Sequence, residues 1–406
     1  MISVGIDVSK GKSTVCILKP GGEVVAPPYE MLHTVESVLA LVKRIKSFTE
    51  ETRVILEDTG HYHWSVVKVL SENGVFVTSV NALRMKRYCS QDIRGAKTDR
   101  KDAIRIASYG LTYWSELTHV LPSSDTYREL RLLSRQYQRK TVLSASEKVN
   151  FSNLLDRVMP GLPSVLRDNR DRNRLYGFAS RYCHYEQIVG MGEKKFMMDF
   201  CKWAKKQGYR PYERLAKELF TIAQTGIPAL PSSPTANTAI KEAVRLIQEI
   251  EDSRKIILTQ MIALAKTLPE FSAVREMNCL GDALTAGIIA EIGDITRFHS
   301  KHALIAYAGI DVPPYQSGTF NATERHISKR GNRYLRKVGY QVIQSIIMHK
   351  PQNDPVYEFI EKKRSEGKTG KEAMIAGLNK FLRIYYGKIS EVYDSIDLQL
   401  LFGSRV

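Results

Sequence analysis

The stretch ISVGIDVSKGKSTVCILKPGGEVVA (residues 2–26) decides how this region of the chain folds. It contains three short apolar runs, Ile2 to Asp7, Ser13 to Leu18 and Glu23 to Ala26, and the turn Gly21-Gly22 separates the last two. Apolar runs joined by tight, glycine-containing turns are typical of antiparallel strands that follow one another in a meander. We therefore predict three consecutive antiparallel strands.

The next segments alternate between helix and strand patterns. VESVLALVKRIKSF (35–48) and WSVVKVLSENG (64–74) have helical periodicity, whereas RVILE (53–57) and VFVTSV (75–80) are short apolar runs. Three strands followed by alternating helices and strands is the element order of the RNase H-like fold. A doubly wound sheet would instead place a crossover helix after its first strand. We predict an α/β, RNase H-like domain over residues 1–120.

Two long helical patterns dominate residues 121–270. The first runs from residue 125 to about 160, and the second from about 238 to 268. Their apolar residues recur at helical spacing, so we predict that the two helices pair as an antiparallel coiled coil. These stripes are equally compatible with core packing and with a role in oligomerisation. Between the helices lie a basic, mostly helical insertion (160–235) and the linker PALPSSPTANT (228–238).

The C-terminal region, 271–390, is predicted to be mostly helical. Its segment NCLGDALTAGIIAEIGDITRF (278–298) resembles a helix-hairpin-helix element, whose turn can bind DNA phosphate through backbone N–H groups. Cys279 stands where such a hairpin usually has its first glycine, which weakens this interpretation. The tail, 391–406, contains no interpretable motif.

The charge of the chain is strongly positive. Sixty lysines and arginines stand against 43 aspartates and glutamates, which gives a net charge of +17 and a pI near 9.5. Such a field attracts polyanions, so we predict binding to nucleic acid. The positive charge is concentrated in residues 81–105 and 316–337. The candidate nucleic-acid contacts are Lys97, Arg100, Lys101, Arg325, Lys329, Arg330, Arg333 and Arg336.

Cysteine usage and hydropathy argue against several protein classes. The five cysteines form no C-x-x-C pair, which argues against a zinc ribbon and against the disulfide framework of a secreted domain. The first residues, MISVGIDVSKGK, lack the apolar core of a signal peptide, and no run of about 18 apolar residues occurs. We expect a cytoplasmic protein with no membrane-spanning segment.

Four acidic residues form a candidate metal site. Asp7 ends the first predicted strand and Glu57 ends the fourth, and these strands are neighbours in an RNase H-like sheet. Asp99 and Asp102 are three residues apart in KTDRKDA, so a helix would place them on one face. Such a cluster is costly unless cations neutralise it, and hard oxygen ligands suit Mg²⁺ or Mn²⁺. Each acid alone is more simply a strand-end or helix-surface charge, but the set beside a basic cluster favours metal binding.

A second candidate group lies in YAGIDVPPYQSGTFNATERHISKRGNRYLRK (307–337). Pro313-Pro314 forces an extended loop, and Ser317-Gly318 follows where glycine permits a tight turn. A serine hydroxyl among cations and near a metal can attack a phosphodiester and form a covalent protein–DNA intermediate. A serine–glycine pair in a loop is nevertheless far more often only a turn. The rival nucleophiles, among which the sequence does not choose, are Tyr315, Ser328 and Tyr334.

Several motifs together resemble the DEDD-type transposases of one large bacterial insertion-sequence family. GIDVSK, ILEDTGHYHW, KTDRKDA, FHSKHALIAYAGIDVPPYQSG and ISKRGNRYLRK occur in the order seen in that family. Its members include a pilin-gene invertase and bridge-RNA-guided recombinases. The resemblance covers roughly residues 1–115 and 270–390, whereas the stretch 160–235 and Cys279 depart from it.

The resemblance implies a RuvC-like N-terminal domain whose DEDD residues fall on the four acids named above, with Mg²⁺ or Mn²⁺ as the cofactor. It also implies a C-terminal transposase domain (271–390) whose nucleophile falls on Ser317. In that family the serine is thought to come from a partner subunit, which implies a homo-oligomer, either a dimer or a tetramer. Some members use a noncoding guide RNA from the element to pair with DNA, and the basic surface of this chain is compatible with that partner.

Three other functions remain open. A RuvC-like Holliday-junction nuclease that uses water would explain the carboxylates but would leave PPYQSG and SKRGNR without a role. GIDVSKGKSTVCIL superficially resembles the first phosphate loop of actin-fold sugar kinases, but the second GIDV (309–312) runs into two prolines. A catalytically inactive DNA- or RNA-binding relative is disfavoured because all four acids and the serine are present.

Overall fold

The computed structural model of the 406-residue chain divides into two units, Met1–Ser124 and Asp125–Val406. The structure describes residues 1–58, 60, 62–89, 98–119, 125–166, 173–210, 213–313, 316–317, 320–321 and 326–403. Of these, positions 83, 316–317, 320–321 and 397–403 are described by their backbone alone. No helix within these ranges has a stretch that is both long and apolar enough to span a bilayer.

A five-stranded mixed sheet forms the centre of the first unit. Its strands are β1 (Ile2–Val8), β2 (Lys12–Leu18), β3 (Val24–Leu32), β4 (Thr52–Asp58) and β5 (Val77–Asn81). Their spatial order is β3-β2-β1-β4-β5, with antiparallel pairing among the first three and parallel pairing of β1 with β4 and of β4 with β5. The helices are α1 (Val35–Lys46), α2 (His63–Glu72), α3 (Ala82–Cys89) and α4 (Asp99–Thr112). This order confirms the predicted RNase H-like fold.

The third strand is the largest departure from the sequence prediction in this unit. The run predicted at 23–26 continues to Leu32, past Pro27 and Pro28. Proline has no backbone N–H to donate to a sheet, so the sequence pattern of a strand ends there. β3 is an edge strand, however, and its register with β2 shifts between the pairs Val15–Tyr29 and Ile17–Ala26, so neither proline has a register partner in β2. The strand therefore passes through both prolines.

The two faces of the sheet are covered by different helices because side chains alternate along each strand. Ile2 and Ile6 of β1 pack with α1 and α2 in one core. The opposite face carries Ser3 and Gly5, and α4 lies directly on it. A Cβ atom at Gly5 would lie 2.3 Å from the backbone N of Ala107, so only glycine allows α4 to approach β1 this closely.

In its described residues, the second unit consists of helices and one short two-stranded ladder. The helices are α5 (Asp125–Val158), α6 (Leu162–Val165), α7 (Asn173–Tyr182), α8 (Tyr185–Met191), α9 (Glu193–Lys206), α10 (Glu213–Thr225), α11 (Pro234–Ala265), α12 (Phe271–Arg275), α13 (Asp282–Ile292), α14 (Lys301–Ala308), α15 (Arg333–His349), α16 (Pro355–Ser365) and α17 (Gly370–Gly403). The ladder pairs β6 (Gln316–Ser317) with β7 (Phe320–Asn321).

The long helices α5 and α11 form the predicted antiparallel pair. The start of α5 shares a core with the end of α11, through Tyr127 and Met261. The end of α5 shares a second core with the start of α11, through Phe151 and Ile240, and helices α7 to α10 complete that core. The pair therefore connects the helical insertion to the C-terminal helices.

Two predicted boundaries move in the structure. The linker predicted at 228–238 ends earlier, because α11 already begins at Pro234. The hydroxyl of Ser233 accepts a hydrogen bond from the backbone N of Ala236 (3.1 Å), and proline suits the first helical position, so serine and proline here start a helix. At the other end, α17 continues to Gly403, so the segment 391–406 begins inside a helix.

The helix-hairpin-helix-like element consists of α12, a turn and α13. Cys279 in the turn has a φ of 63°, the left-handed conformation that favours glycine, so cysteine takes the backbone shape of the residue it replaces. Asp282 lies in the first turn of α13 and forms ion pairs with Lys266 (3.0 Å) and Arg275 (2.8 Å). A carboxylate of the chain itself therefore already lies at the helix end where a phosphate would bind.

Candidate active site

Asp7 and Glu57 are the penultimate residues of two neighbouring parallel strands, β1 and β4. β1 and β4 pair in register up to Ile6 and Leu56, and one further step brings Asp7 level with Glu57. Residues at the same level of adjacent parallel strands point to the same side, and such strands lie about 4.8 Å apart. The two carboxylates therefore leave the sheet together, on the face that carries α4.

The first turn of α4 brings Asp99 and Asp102 to this same edge. The residues of α4 that pack on the sheet include Ala103, Ile106, Ala107 and Gly110. Asp99 and Asp102 precede Ala103 and Ile106 by one helical turn, so they extend the face that packs on the sheet. Gly110 approaches Ser3 near the start of β1, whereas Ala103 approaches Gly5. The helix therefore runs antiparallel to β1, and its first turn lies where β1 ends.

Local contacts hold the first turn of α4. The hydroxyl of Thr98 accepts a hydrogen bond from the backbone N of Lys101 (3.3 Å), and Oδ1 of Asp102 accepts one from Arg105 (3.2 Å). Acidic side chains in a first turn also stabilise a helix through its dipole. Asp102 thus has a structural partner in addition to any metal. We call the region around Asp7, Glu57 and this first turn the carboxylate edge.

A cavity of about 380 Å³ opens beside the carboxylate edge. Asp99 lines it together with Thr14, which is the register partner of Asp7, and with Glu30. Lys12 donates a hydrogen bond to Glu30 (2.6 Å), and this bond, with a smaller contribution from Asp99, holds the pKa of Lys12 above its usual value. The rim of the cavity therefore carries charges of both signs.

The donor chemistry of the four acids fits a hard divalent cation, because every ligand would be a carboxylate oxygen. Within the part of the chain that the structure describes, no three His, Cys, Asp or Glu side chains lie close enough to hold one ion. The four acids nevertheless lie at one edge of the sheet, and they are the residues that would hold such a cation. Beside this edge, Arg100 and Lys101 are exposed, and Lys97 lies outside the described residues.

In the second unit, the cationic segment 326–332 is hydrogen-bonded to residues 307–311, at the end of α14 and just after it. We call this pairing the clasp. Its backbone hydrogen bonds run from Ser328 N to Asp311 O (2.8 Å), from Lys329 N to Gly309 O (3.0 Å) and from Asn332 N to Tyr307 O (2.7 Å). The clasp holds both ends of the loop that carries Ser317.

Two glycines and an arginine close the clasp. Gly309 has a φ of 66°, and a Cβ atom at Gly331 would lie 2.3 Å from the carbonyl oxygen of Tyr307. Arg336 donates a hydrogen bond from its guanidinium to the carbonyl oxygen of Ala308 (2.9 Å), and burial lowers its pKa. Arg336, which the sequence suggested as a nucleic-acid contact, therefore has a structural role in the clasp.

A fully buried carboxylate supports the clasp. Glu291 of α13 accepts hydrogen bonds from the hydroxyl of Ser134 (2.9 Å) and from Nδ2 of Asn332 (3.0 Å). Asn332 in turn caps α15 by accepting hydrogen bonds from the backbone N of Tyr334 (2.9 Å) and of Leu335 (3.2 Å). Sequence reasoning missed Glu291. The available signal was an acid within the apolar run AGIIAEIG, since such an acid is buried only when it has partners.

The candidate nucleophiles have different surroundings. Ser317 lies in β6 opposite Phe320, and only its backbone is described. The hydroxyl of Ser328 donates to Oδ1 of Asp311 (2.5 Å), and the hydroxyl of Tyr334 accepts a hydrogen bond from Arg333 (2.9 Å). Both of these rivals are thus engaged at the clasp. Tyr315 and Arg325 lie outside the described residues, whereas Lys329, Arg330 and Arg333 are exposed.

Two family models match the chain. A model of DEDD transposases of the IS110 type, described as a transposase, matches residues 4–160. A second model, described as the transposase IS116/IS110/IS902 family, matches residues 272–358. The first match covers the carboxylate edge, and the second covers the clasp and the loop of Ser317. The chain belongs to this transposase family.

Comparisons with individual proteins agree with this assignment. The transposase is 21% identical over 405 residues to an uncharacterized 43.6 kDa protein of insertion element IS110 from Streptomyces coelicolor, a match that covers 100% of this chain and 96% of the relative. It is also 21% identical over 375 residues to an uncharacterized 44.8 kDa protein of insertion element IS116 from Streptomyces clavuligerus, covering 92% and 91%.

Two solved structures share similarity with part of the transposase. The RuvC structure of Thermus thermophilus matches 29% of this chain and 96% of its own, at 15% identity and a TM-score of 0.23. RuvC of T. thermophilus in complex with a Holliday junction substrate matches the same shares at 14% identity and a TM-score of 0.23.

The family assignment confirms the resemblance inferred from the sequence motifs. The chain is a transposase of a bacterial insertion element and therefore an enzyme that acts on DNA. Its N-terminal unit has the RuvC-like sheet of the DEDD class, in the order β3-β2-β1-β4-β5. DNA is accordingly a partner of this protein.

Proposed function

We propose that this transposase cuts and rejoins DNA by metal-assisted attack of the Ser317 hydroxyl, through a covalent protein–DNA intermediate. In this proposal the carboxylates that hold Mg²⁺ or Mn²⁺ are Asp7, Glu57, Asp99 and Asp102. The observation that carries it is the parallel register of β1 and β4, in which Ile6 pairs with Leu56 one step before the first two acids. Carboxylates that leave a sheet side by side are costly without a cation between them.

The proposed reaction exchanges one phosphate ester for another. The oxygen of Ser317 forms a bond to phosphorus, and the bond from phosphorus to a sugar oxygen of the DNA breaks. The serine proton passes to a carboxylate or to water, and the departing sugar oxygen gains a proton. When bound, the divalent cations supply positive charge beside the attacking and leaving oxygens. A second DNA hydroxyl can reverse the exchange, so rejoining needs no external energy source.

The choice of Ser317 rests on its position between the two halves of the clasp. The loop is anchored at 307–311 and at 326–332, which limits the space its serine can reach. Ser328, whose hydroxyl donates to the carboxylate of Asp311, and Tyr334, whose hydroxyl accepts a hydrogen bond from Arg333, are the rival nucleophiles, because a neighbouring carboxylate or cation can also activate a hydroxyl. We further propose that each serine acts on DNA held by the carboxylates of another subunit, in a homodimer or homotetramer.

Cations close to the two groups in the sequence are the proposed contacts to the nucleic-acid backbone. They are Lys97, Arg100, Lys101, Arg325, Lys329, Arg330 and Arg333, and the net charge of +17 supports binding of polyanions in general. Arg336 is left out of this set because its guanidinium bonds Ala308. A noncoding RNA of the element is a further proposed partner, which would select donor and target DNA by base pairing.

The proposal is tested with an end-labelled DNA that carries the junction between the element and its flank. We expect the purified transposase, with Mg²⁺ and the element's RNA, to form an adduct that survives denaturation and disappears in Ser317→Ala. Asp7→Asn should lower the adduct yield by roughly a hundredfold or more, as expected when charge beside a transition state is lost.

Two variants serve as controls for this experiment. Asp58→Asn changes an acid next to Glu57 that points away from the carboxylate edge, since its Oδ1 lies 3.7 Å from Nε2 of His63 in α2. It should retain the adduct. Ser328→Ala should retain it as well, and loss of the adduct in Ser328→Ala but not in Ser317→Ala would assign the nucleophile to Ser328. Cleavage without an adduct that persists in Ser317→Ala would instead support a RuvC-like nuclease that uses water.

A further inference from the structure

A basic groove with an apolar floor lies in the second unit, next to the clasp. It has a volume of about 870 Å³ and is bordered by the clasp, by the start of α14 and by α16 and α17. We call it the α17 groove. The cations that line it are Lys301, Lys329, Lys368, Lys371, Lys380 and Arg383. Neither the proposed metal site nor the clasp accounts for this concentration of charge.

The positive charge of the α17 groove is only partly offset by the groove's own residues. Within the described residues, none of its six cations forms an ion pair with an aspartate or a glutamate. Glu372 also lines the groove, but it accepts hydrogen bonds from the backbone N and the hydroxyl of Thr369, both at 2.9 Å. These hydrogen bonds, with a smaller contribution from Lys368, lower the pKa of Glu372, so its carboxylate stays charged and the groove holds six cations against one carboxylate. The groove therefore attracts a polyanion.

The floor of the α17 groove selects among polyanions. It is formed by Ile310, Ile327, Phe359, Ile375 and Ile384. Duplex DNA turns its phosphates outward and keeps its bases stacked inside, so an apolar floor gains little from a duplex. An unpaired strand exposes the faces of its bases, which stack on aromatic and apolar side chains while cations contact its phosphates. The combination of lysines and an apolar floor thus favours a single strand.

The α17 groove begins where the loop of Ser317 begins and ends. Val312 precedes that loop and His326 follows it, and both residues line the groove. Lys329 belongs both to the clasp and to the groove. A strand held in the groove would therefore reach the loop that carries the serine.

We infer that the α17 groove binds a single-stranded segment of DNA next to the phosphate that Ser317 attacks. The lysines and Arg383 contact its phosphates, and Phe359 contacts a base. This inference rests on the proposed function, because the strand is identified as DNA by its position beside the nucleophile loop. Strand exchange separates a cut strand from its complement, and the groove would hold that unpaired end.

Salt-dependent binding of a fluorescent single-stranded DNA 15-mer to the full-length transposase tests the inference. The triple variant Lys371→Ala, Lys380→Ala, Arg383→Ala should lower the slope of log affinity against log salt by about 2, because each lost phosphate contact on a single strand removes about 0.7. Its affinity should fall by roughly tenfold to a hundredfold. Phe359→Leu keeps the floor apolar and should weaken binding roughly tenfold at an unchanged slope, because only base stacking is lost.

The matched control removes the same number of positive charges elsewhere in the unit. Arg214, Arg245 and Lys255 each lie beside a carboxylate of their own helix, so their change to alanine should leave the salt slope unaltered. An equal loss of slope in this control would overturn the inference, because the effect would then follow net charge. Tighter binding of an RNA 15-mer of the same sequence, lost selectively in the groove variant, would also overturn it. So would loss of duplex binding that equals the loss of single-strand binding.

Failure of this inference can be told apart from failure of the proposed function. Ser317→Ala should bind the 15-mer like the unmodified protein while forming no adduct. An adduct that requires Ser317, together with a normal salt slope in the groove variant, rejects the groove alone. An adduct that persists in Ser317→Ala rejects the proposed chemistry, on which the identification of the strand depends.

Discussion

The carboxylate edge of the first unit and the clasp of the second are built in opposite ways. At the edge, regular strand pairing brings Asp7 level with Glu57, and close approaches at Gly5 and Gly110 set α4 on the sheet beside them. In the clasp, the segment 326–332 is irregular and is held by hydrogen bonds to 307–311 and to buried Glu291. The edge therefore depends on close steric contacts between α4 and the sheet, whereas the clasp depends on several polar contacts.

The largest expected effect comes from breaking the steric contact at the edge. Gly5→Ala should lower the free energy of unfolding of the first unit by about 3 kcal/mol, the upper range for overpacking, because the new Cβ would lie 2.3 Å from Ala107 N and 2.4 Å from Ala103 O. Both of these atoms are backbone and cannot move aside cheaply. Urea unfolding together with hydrogen exchange of the β1 amides measures the change.

Gly387→Ala in α17 is the matched control for this substitution. A Cβ atom there would meet nothing within 4 Å, and alanine favours a helix over glycine by up to about 1 kcal/mol. Its free energy of unfolding should stay the same or rise. Unchanged β1 exchange in Gly5→Ala would contradict the described contact between α4 and β1.

The next effect tests the polar support of the clasp. Glu291→Ala should lower the free energy of unfolding by about 2 kcal/mol, because Ser134 and Asn332 lose a buried acceptor. Adduct yield should fall with it, since Asn332 caps α15. Glu291→Gln retains an acceptor and should cost less. The control is Glu276→Ala, which removes an exposed carboxylate 3.6 Å from Lys388 and should change neither the free energy of unfolding nor the adduct yield. If Glu291→Ala were as stable as Glu276→Ala, Glu291 would not support the clasp.

A smaller effect distinguishes the structural role of Arg336 in the clasp from the proposed phosphate-binding role of Arg330. Arg336→Met should cost about 1 kcal/mol in the free energy of unfolding, because its hydrogen bond to Ala308 is lost, and should leave the salt slope of DNA binding unchanged. Arg330→Met should leave the free energy of unfolding unchanged and lower the salt slope of DNA binding, because Arg330 is exposed. Urea unfolding and anisotropy titrations at several salt concentrations measure both. A reduced salt slope in Arg336→Met would make it a phosphate contact after all.

The smallest effect is a pH dependence at a polar contact outside the clasp, between α5 and α11. Burial acts to raise the pKa of Glu251, but hydrogen bonds from Lys148 and Ser144 outweigh it and hold the pKa below its usual value. A carboxyl with a lowered folded pKa stabilises the fold above its unfolded pKa, and this stabilisation is lost as the pH falls through the folded pKa.

Thermal unfolding of the protein and of Glu251→Gln, compared at pH 7 and below about pH 4, measures this contribution. We expect a difference below about 1 kcal/mol that is present at pH 7 and shrinks in acid. Glu249→Gln, which alters an exposed acid paired with Arg245, should show a smaller difference at both pH values. A gap between the protein and Glu251→Gln that widens in acid would have the wrong sign.

Local patterns predicted the elements of the first unit and the acids at its edge. Apolar runs and turns are short-range signals, so β1, β2, β4, α1 and α2 were predictable to within a few residues. Asp7 and Glu57 were identifiable because each follows an apolar run that ends a strand. The extent of β3 was not predictable, because proline is unfavourable in a regularly paired strand. It is accepted at an edge or where the register shifts, and both are properties of the whole sheet.

The sequence by itself determined the RNase H-like order of elements, the antiparallel helix pair and the family motifs. The order of strands and helices, the helical periodicity and the motifs are all local patterns of residues in the sequence. Only the tertiary structure decided that Glu291 supports the clasp, that Arg336 bonds Ala308, and that lysines of α14 and α17 line one groove. Hydrogen bonds and electrostatic interactions between residues far apart in the chain leave no periodic pattern in the sequence. They therefore become visible only once the helices that carry them are packed together.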